Sequence, residues 1–188
     1  MDKKYQIIYA DPPWNFNQII GIYQDNNRPD RFTSEHYPCM NLADIKALQV
    51  SRIADKDCAL FLWSTDAHLP EALQVIQSWG FKYKSIAFIW EKLTTKGRLC
   101  ANIGAWTMKN TEICLIATKG NMVKYKRRRN IFQLVKALRT GYSAKPMEVR
   151  QNIEALFGNI PRIELFARQK VDGWDCWGNE VEGDIELC

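Results

Sequence analysis

Near the start of the chain an apolar run, Ile7-Ile8-Tyr9-Ala10, breaks off into Asp11-Pro12-Pro13-Trp14. That junction limits what the chain can fold into. Consecutive apolar residues of this kind read as a buried strand that ends abruptly. Two successive prolines cannot continue a sheet ladder, because neither has an N–H to donate. Pro13 also restricts Pro12 to extended conformations. The expected product is a stiff turn at the carboxyl end of a strand, presenting one carboxylate, a bare carbonyl and one large flat ring. A capping Asp and a core Trp would carry the same letters.

Further apolar runs repeat the pattern. Cys58 to Trp63, Phe81 to Trp90 and Thr111 to Thr118 read as strands, and Arg162 to Ala167 as the last one. Leu69, Leu73, Ile76 and Trp79 have helical spacing, with Gly80 just past the end. Asn41 is placed to cap a helix carrying Asp44 in its first turn. Pro146 suits the first position of a helix whose stripe is Val149, Ile153, Leu156 and Phe157, ending at Gly158. Strands alternating with helices predict an α/β fold with a doubly wound, largely parallel sheet and a site at the strand carboxyl ends. At 188 residues the chain fits one domain, 1–188, able to bury a core without staples. Two polar stretches, 15–40 and 91–110, are long for plain connections and are candidates for functional loops.

The chemistry that suits the Asp-Pro-Pro-Trp turn is methylation of an exocyclic amine on a base. The N6 lone pair of adenine is delocalised into the ring, so the amine is a poor nucleophile. Acceptors on both N–H groups would draw the nitrogen toward tetrahedral geometry and stabilise the positive charge that grows during attack. Asp11 and the Pro12 carbonyl can supply these acceptors, while Trp14 stacks on the base. Tyr37 would give a second ring opposite Trp14.

Other functions are constrained by composition. The net charge of +5 favours a polyanionic partner without requiring one. The densest positive charge is Lys124-Tyr125-Lys126-Arg127-Arg128-Arg129, readable as a solvated face, a localisation signal or a phosphate-contacting surface. Basic residues also fall in the 91–110 stretch beside Trp106, which supports nucleic-acid contact. The six cysteines include no C-x-x-C pair, and with two histidines no familiar zinc spacing appears. No metal is expected, and a zinc deaminase is excluded by the same count. With no membrane-spanning stretch and no signal-peptide core, the expected location is the cytoplasm.

Tyr9-Ala10-Asp11-Pro12-Pro13-Trp14 resembles the signature of methyltransferases acting on adenine N6. More closely it resembles the family of the messenger-RNA adenosine methyltransferase catalytic subunit and its compact phage and bacterial relatives. The similarity continues through Leu60-Phe61-Leu62-Trp63, Glu112-Ile113-Cys114-Leu115, Lys119-Gly120-Asn121 and Ser143-Ala144-Lys145-Pro146. It ends with Ile163-Glu164-Leu165-Phe166-Ala167-Arg168 and Gly178-Asn179.

The resemblance implies a Rossmann-like methyltransferase fold in permuted motif order, with S-adenosylmethionine as methyl donor. Asp11, Pro12, Pro13 and Trp14 take the catalytic positions, and Tyr37 matches a tyrosine that helps enclose the target base. The C-terminal strand, with Glu164, Phe166 and Arg168, would form the donor pocket together with Asp11, which thus also contacts the donor. Lys145 matches a lysine near the donor's carboxylate; Arg168 and Asn179 match groups on the ribose hydroxyls. Gln169 and Lys170 stand where larger relatives carry a histidine and an asparagine. DNA is expected rather than RNA, because the chain is compact like the bacterial and phage enzymes. Pairing of two copies follows from the family's habit of associating through loops around the site. Competing readings are an RNA adenosine methyltransferase, a non-catalytic nucleic-acid-binding partner subunit, and a protein-amide methyltransferase.

Overall fold

The structure is a computed structural model that describes residues 3–15, 39–104, 106–140 and 144–187. Strand β1 (Tyr5–Ala10) lies inside a seven-stranded sheet. On one side it pairs in parallel with β2 (Ala54–Ser64), with Ile8 opposite Leu60 and Ala10 opposite Leu62. On the other it pairs in parallel with β6 (Arg162–Leu165), with Ala10 opposite Leu165. Beyond β2 lie β4 (Thr111–Lys119), β3 (Lys82–Leu93) and β5 (Leu134–Leu138); beyond β6 lies β7 (Asp175–Trp177). Strand β4 alone runs against its neighbours, and the remaining pairings are parallel. The largely parallel α/β sheet expected from the sequence is present.

Burial on both faces accounts for the unbroken apolar runs. Ile8, Ala10, Leu60 and Leu62 point to one face, packing with α1 (Leu42–Ala47), the short α2 (Val50–Ile53) and α3 (Leu69–Ser78). Ile7, Tyr9, Phe61 and Trp63 point to the other, where α4 (Met147–Phe157) contributes Val149, Ile153 and Phe157. The helices therefore cover opposite faces, and the sheet is doubly wound. Buried indoles find acceptors: Trp63 donates to the Tyr9 hydroxyl at 2.7 Å, Trp79 to the Ile45 carbonyl at 2.9 Å and Trp90 to that of Ala137 at 3.0 Å.

Local expectations hold with some shifts. Asn41 caps α1 by accepting the Asp44 N–H at 2.8 Å, and Gly80 follows α3 with φ of +79°. In α3, however, Ala72, Val75 and Ile76 are buried while Leu73 faces out. Pro146 caps α4 instead of opening it. Strand β3 runs on to Leu93, because Lys92 still donates its N–H to Asn110. Arg162 does not begin the last strand: β7 adds an edge, and β6 stops at Leu165 because Phe166 takes φ of +61°. Strand β5 escaped the sequence reading because only Val135 and Ala137 of its five residues face inward.

At the amino end of the sheet, Gly120 follows β4 with φ of +65°, and a Cβ there would lie 2.2 Å from both Asp57 Oδ1 and the Lys56 carbonyl. Asp57 is fixed, accepting the Asn121 N–H at 2.7 Å and pairing with Lys124 at 2.5 Å. Gly120→Ala should therefore cost about 3 kcal/mol from overlap and left-handed strain. That is a fall of roughly 6–12 °C in Tm on thermal denaturation.

Candidate active site

The carboxyl ends of β1, β2 and β6 meet the start of β4, with Ser64 opposite Ile113 and Leu165 opposite Trp177. From β1 the chain first builds outward through β2 and later returns to β6 on the other side. The crevice outside such a switch point is where open α/β sheets bind ligands. A cleft enclosing about 960 Å³, open solvent at its mouth included, lies there. Its walls include Asp11, Pro12, Pro13, Trp14, Lys145, Phe166, Arg168 and Asn179. Eight residues singled out in the sequence are thus brought together from four separate segments.

The platform after β1 is built by the prolines. Trp14 donates its N–H to the Pro12 carbonyl at 2.9 Å, a tight turn centred on Pro13, whose fixed φ suits it. The Pro12 carbonyl is therefore not bare, as the sequence suggested, but retains a second lone pair. Met40 donates its N–H to Pro13 at 3.0 Å and forms a bridge with Trp14, tying the platform to the chain before α1. The Trp14 ring is itself anchored. It is only 6% exposed, donates to the Trp63 carbonyl at 3.1 Å and stacks on His68 with centroids 5.8 Å apart. It lines the cleft as part of the wall and does not stand free.

At the floor is a buried charge cluster. Lys145 Nζ lies 2.7 Å from Asp11 Oδ2 and 3.2 Å from Glu112 Oε2, and over the Trp63 ring at 5.6 Å. Glu112 Oε1 is bonded by Lys92. Burial pushes the Asp11 carboxyl above its ordinary value, with Lys145 opposing. Burial also pushes Glu112 upward, but Lys145 and Lys92 outweigh it and hold that carboxyl below its usual range. Burial disfavours the Lys145 ammonium, and Asp11 and Glu112 more than restore it. The ammonium of Lys145 thus lies between two carboxylates whose proton affinities are shifted in opposite directions.

The opposite wall comes from β6 and β7. Phe166, in the left-handed region, turns the chain into the cleft, and its ring meets Trp177 edge-on at 5.4 Å. A non-glycine residue at positive φ costs of order 1–2 kcal/mol and is held only where its surroundings demand it. Arg168 pairs with Glu180 at 2.9 Å beside Asn179.

Glu164 is placed differently: both carboxylate oxygens accept from Arg150, at 3.0 and 2.6 Å, and it does not line the cleft. Tyr37 lies outside the described residues. Lys124, Lys126, Arg127, Arg128 and Arg129 sit at the other end of the sheet. Lys124 is paired with Asp57, Arg127 donates its N–H to Leu156 at the end of α4, and Lys126 to Arg129 are exposed.

Sequence reasoning missed Glu112, Met40, Thr65 and Glu180, all on the cleft wall. Glu112 opens a motif whose apolar pattern marks only a strand, and Glu180 directly follows Asn179. No spacing rule marks either. Among the described residues no group of three or more His, Cys, Asp or Glu could hold a metal ion, and no helix is long and apolar enough to cross a membrane.

A family profile described as MT-A70 matches residues 5–180. The chain belongs to the MT-A70 family. It is 36% identical over 196 residues to the type II methyltransferase M.MunI of Mycoplasma sp, covering 98% of this chain and 82% of that protein. It is 26% identical over 184 residues to the N(6)-adenosine-methyltransferase subunit METTL3 of Danio rerio, with 96% of this chain and 28% of the relative covered. Identity to the N6-methyladenosine RNA methyltransferase MTA1 of Cryphonectria parasitica is 29% over 188 residues, covering 94% and 52%. The chain thus spans most of the length of M.MunI but only about a quarter of METTL3 and half of MTA1.

Proposed function

We propose that this MT-A70 protein transfers a methyl group from S-adenosylmethionine to the N6 amine of adenine in DNA, as one domain over residues 1–188. The observation that carries the reading is the Asp11 carboxylate and the Pro12 carbonyl lining one cleft, with the Lys145 ammonium 2.7 Å from Asp11 at its floor. The donor set fits S-adenosylmethionine. Lys145 can take its carboxylate, Glu180 with Arg168 and Asn179 its ribose hydroxyls, and Phe166 and Trp177 its apolar surfaces. When bound, the donor supplies the electrophilic methyl.

Everything else is done by the protein. Asp11 and the free lone pair of Pro12 accept the two N–H groups of the amine and favour the positive charge of the transition state. The proton of the methylated amine then passes to Asp11 or to water. Trp14 shapes the cleft, and Tyr37 encloses the base. In duplex DNA the adenine must leave the stack, at a cost of a few kcal/mol, so melted sites should react faster.

DNA is favoured by the likeness to M.MunI over most of its length; the METTL3 and MTA1 likenesses support RNA as the second reading. Matched DNA and RNA oligonucleotides, methylated side by side, separate the two. Phosphate contacts near the cleft are expected from the 94–110 excursion, which has Lys96, Arg98 and Lys109 and no acidic residue. Its Lys109 is ion-paired with Asp66, beside Thr65 of the cleft. The Lys124–Arg129 run would be a secondary contact, remote from the transfer step. Neutralising Arg127, Arg128 and Arg129 should weaken binding to all sequences alike and flatten the log–log salt slope by roughly 0.7–0.9 per contact, leaving turnover at saturation intact. An unchanged slope would make the run a solvated face. Exposed Ile103, Trp106 and Met108 on the same excursion support pairing of two copies, which sedimentation would show as a dimer. A cytoplasmic, bacterial or phage setting accompanies this reading.

A further inference from the structure

The cluster beneath the cleft contains a carboxylate that the transfer step does not use. Glu112 lies on β4, beyond β2 from Asp11, and Lys145 stands between the two carboxylates. Its two oxygens are divided: Oε1 is bonded by Lys92 and Oε2 faces Lys145 at 3.2 Å. Both ammonium groups lie over indoles, Lys92 at 5.3 Å from the Trp90 centroid and Lys145 at 5.6 Å from that of Trp63. These rings meet edge-on at 6.4 Å. The result is an alternating chain of charges, Lys92, Glu112, Lys145 and Asp11, pinned on a rigid aromatic base.

Lys145 alone would be a poor neighbour for the proposed acceptor. It lies 2.7 Å from Asp11 Oδ2. A cation bonded to a carboxylate withdraws the electron density that the substrate N–H groups need. We propose that Glu112 is a positioning residue: by engaging the other side of the Lys145 ammonium, it limits that cation's hold on Asp11 and keeps the carboxylate available to the substrate amine. Lys92 acts one step further out, drawing on Glu112 and so moderating its pull on Lys145. The proposal rests on the methyltransferase reading for its consequence, but the charge coupling can be read without catalysis.

Among the described residues, the other charged and titratable groups around Asp11 are Arg168 after β6, Cys114 on β4, and the Arg150–Glu164 pair. None of them bonds both Glu112 and Asp11 as Lys145 does. The expected direction follows from the charge between them. Glu112→Gln removes a negative charge whose effect on Asp11 is to raise its proton affinity, so the Asp11 titration should move to lower pH. Lys92→Met releases Glu112 toward Lys145, so the same titration should move to higher pH.

The test is carbon-13 NMR of carboxyl-labelled aspartate in the full chain, with the Asp11 signal assigned by its absence from Asp11→Asn, alongside thermal melts and transfer kinetics. The expected result is midpoint movement in opposite directions for the two variants. Glu112→Gln should also lose roughly tenfold to a hundredfold in kcat, with its acid limb displaced to lower pH. Calorimetry with S-adenosylhomocysteine should show affinity undiminished, since Lys145 is less neutralised. Midpoints that stay put, or move together, overturn the role of Glu112. S-adenosylhomocysteine affinity falling in step with kcat would reduce Glu112 to a structural support and overturn it equally. If the native chain transfers no methyl group to any nucleic acid, the methyltransferase reading fails while the NMR result still decides the coupling.

Discussion

Replacing Asp11 with alanine should abolish methyl transfer, by at least about a thousandfold in kcat, while nucleic-acid affinity stays within a few-fold. The carboxylate acts on charge that appears only in the transition state, so its loss is felt in turnover and little in substrate binding. The fold should tolerate the change, because the Lys145 ammonium it abandons remains paired with Glu112. Single-turnover kinetics with saturating donor would measure the effect. A variant retaining near-native turnover would place the acceptor elsewhere.

Lys145→Met should be costly in two separate ways. It leaves the Asp11 and Glu112 carboxylates in a buried site without the cation between them, and breaking a buried pair on one side typically costs about 3–5 kcal/mol. At 188 residues that corresponds to roughly 6–20 °C in Tm. The direction with pH follows from the groups left behind. In the native protein Glu112 is held below its ordinary value, so its contribution is present at neutral pH and is lost on acidification. In the variant, proton uptake relieves the repulsion between the two carboxylates, so the deficit should narrow as pH falls into the carboxylate range. Donor affinity should drop as well, by ten- to a hundredfold, the worth of one charge-assisted hydrogen bond of about 1.5–3 kcal/mol. Denaturation at several pH values and calorimetry would read the two effects independently.

What the sequence made legible divides along physical lines. Ile7 to Ala10 and Cys58 to Trp63 declared themselves because strands buried on both faces need unbroken apolar runs. Edge strands have one wet face or very few residues. For that reason β5 and β7 left no comparable trace, and the chain after Arg162 seemed to hold only one more strand.

The site divides in the same manner. The Asp-Pro-Pro turn was readable because proline restricts the backbone wherever it stands. That Trp14 would be bound to the Trp63 carbonyl and stacked on His68 depends on partners about fifty residues away, which no local pattern encodes. The same holds for Glu164. Its motif suggested the donor pocket, yet Arg150, one helix earlier, engages both its oxygens. The basic run at Lys124 was conspicuous by composition, but only the antiparallel course of β4 reveals that it sits at the far end of the sheet.

The most direct test of the account is mass spectrometry of nucleosides from DNA and RNA incubated with the protein and methyl-labelled S-adenosylmethionine. The native protein should yield labelled N6-methyl-2′-deoxyadenosine in DNA, and Asp11→Ala should yield none. Label found only in cytosine, only in ribonucleosides, or equally with both proteins would contradict it.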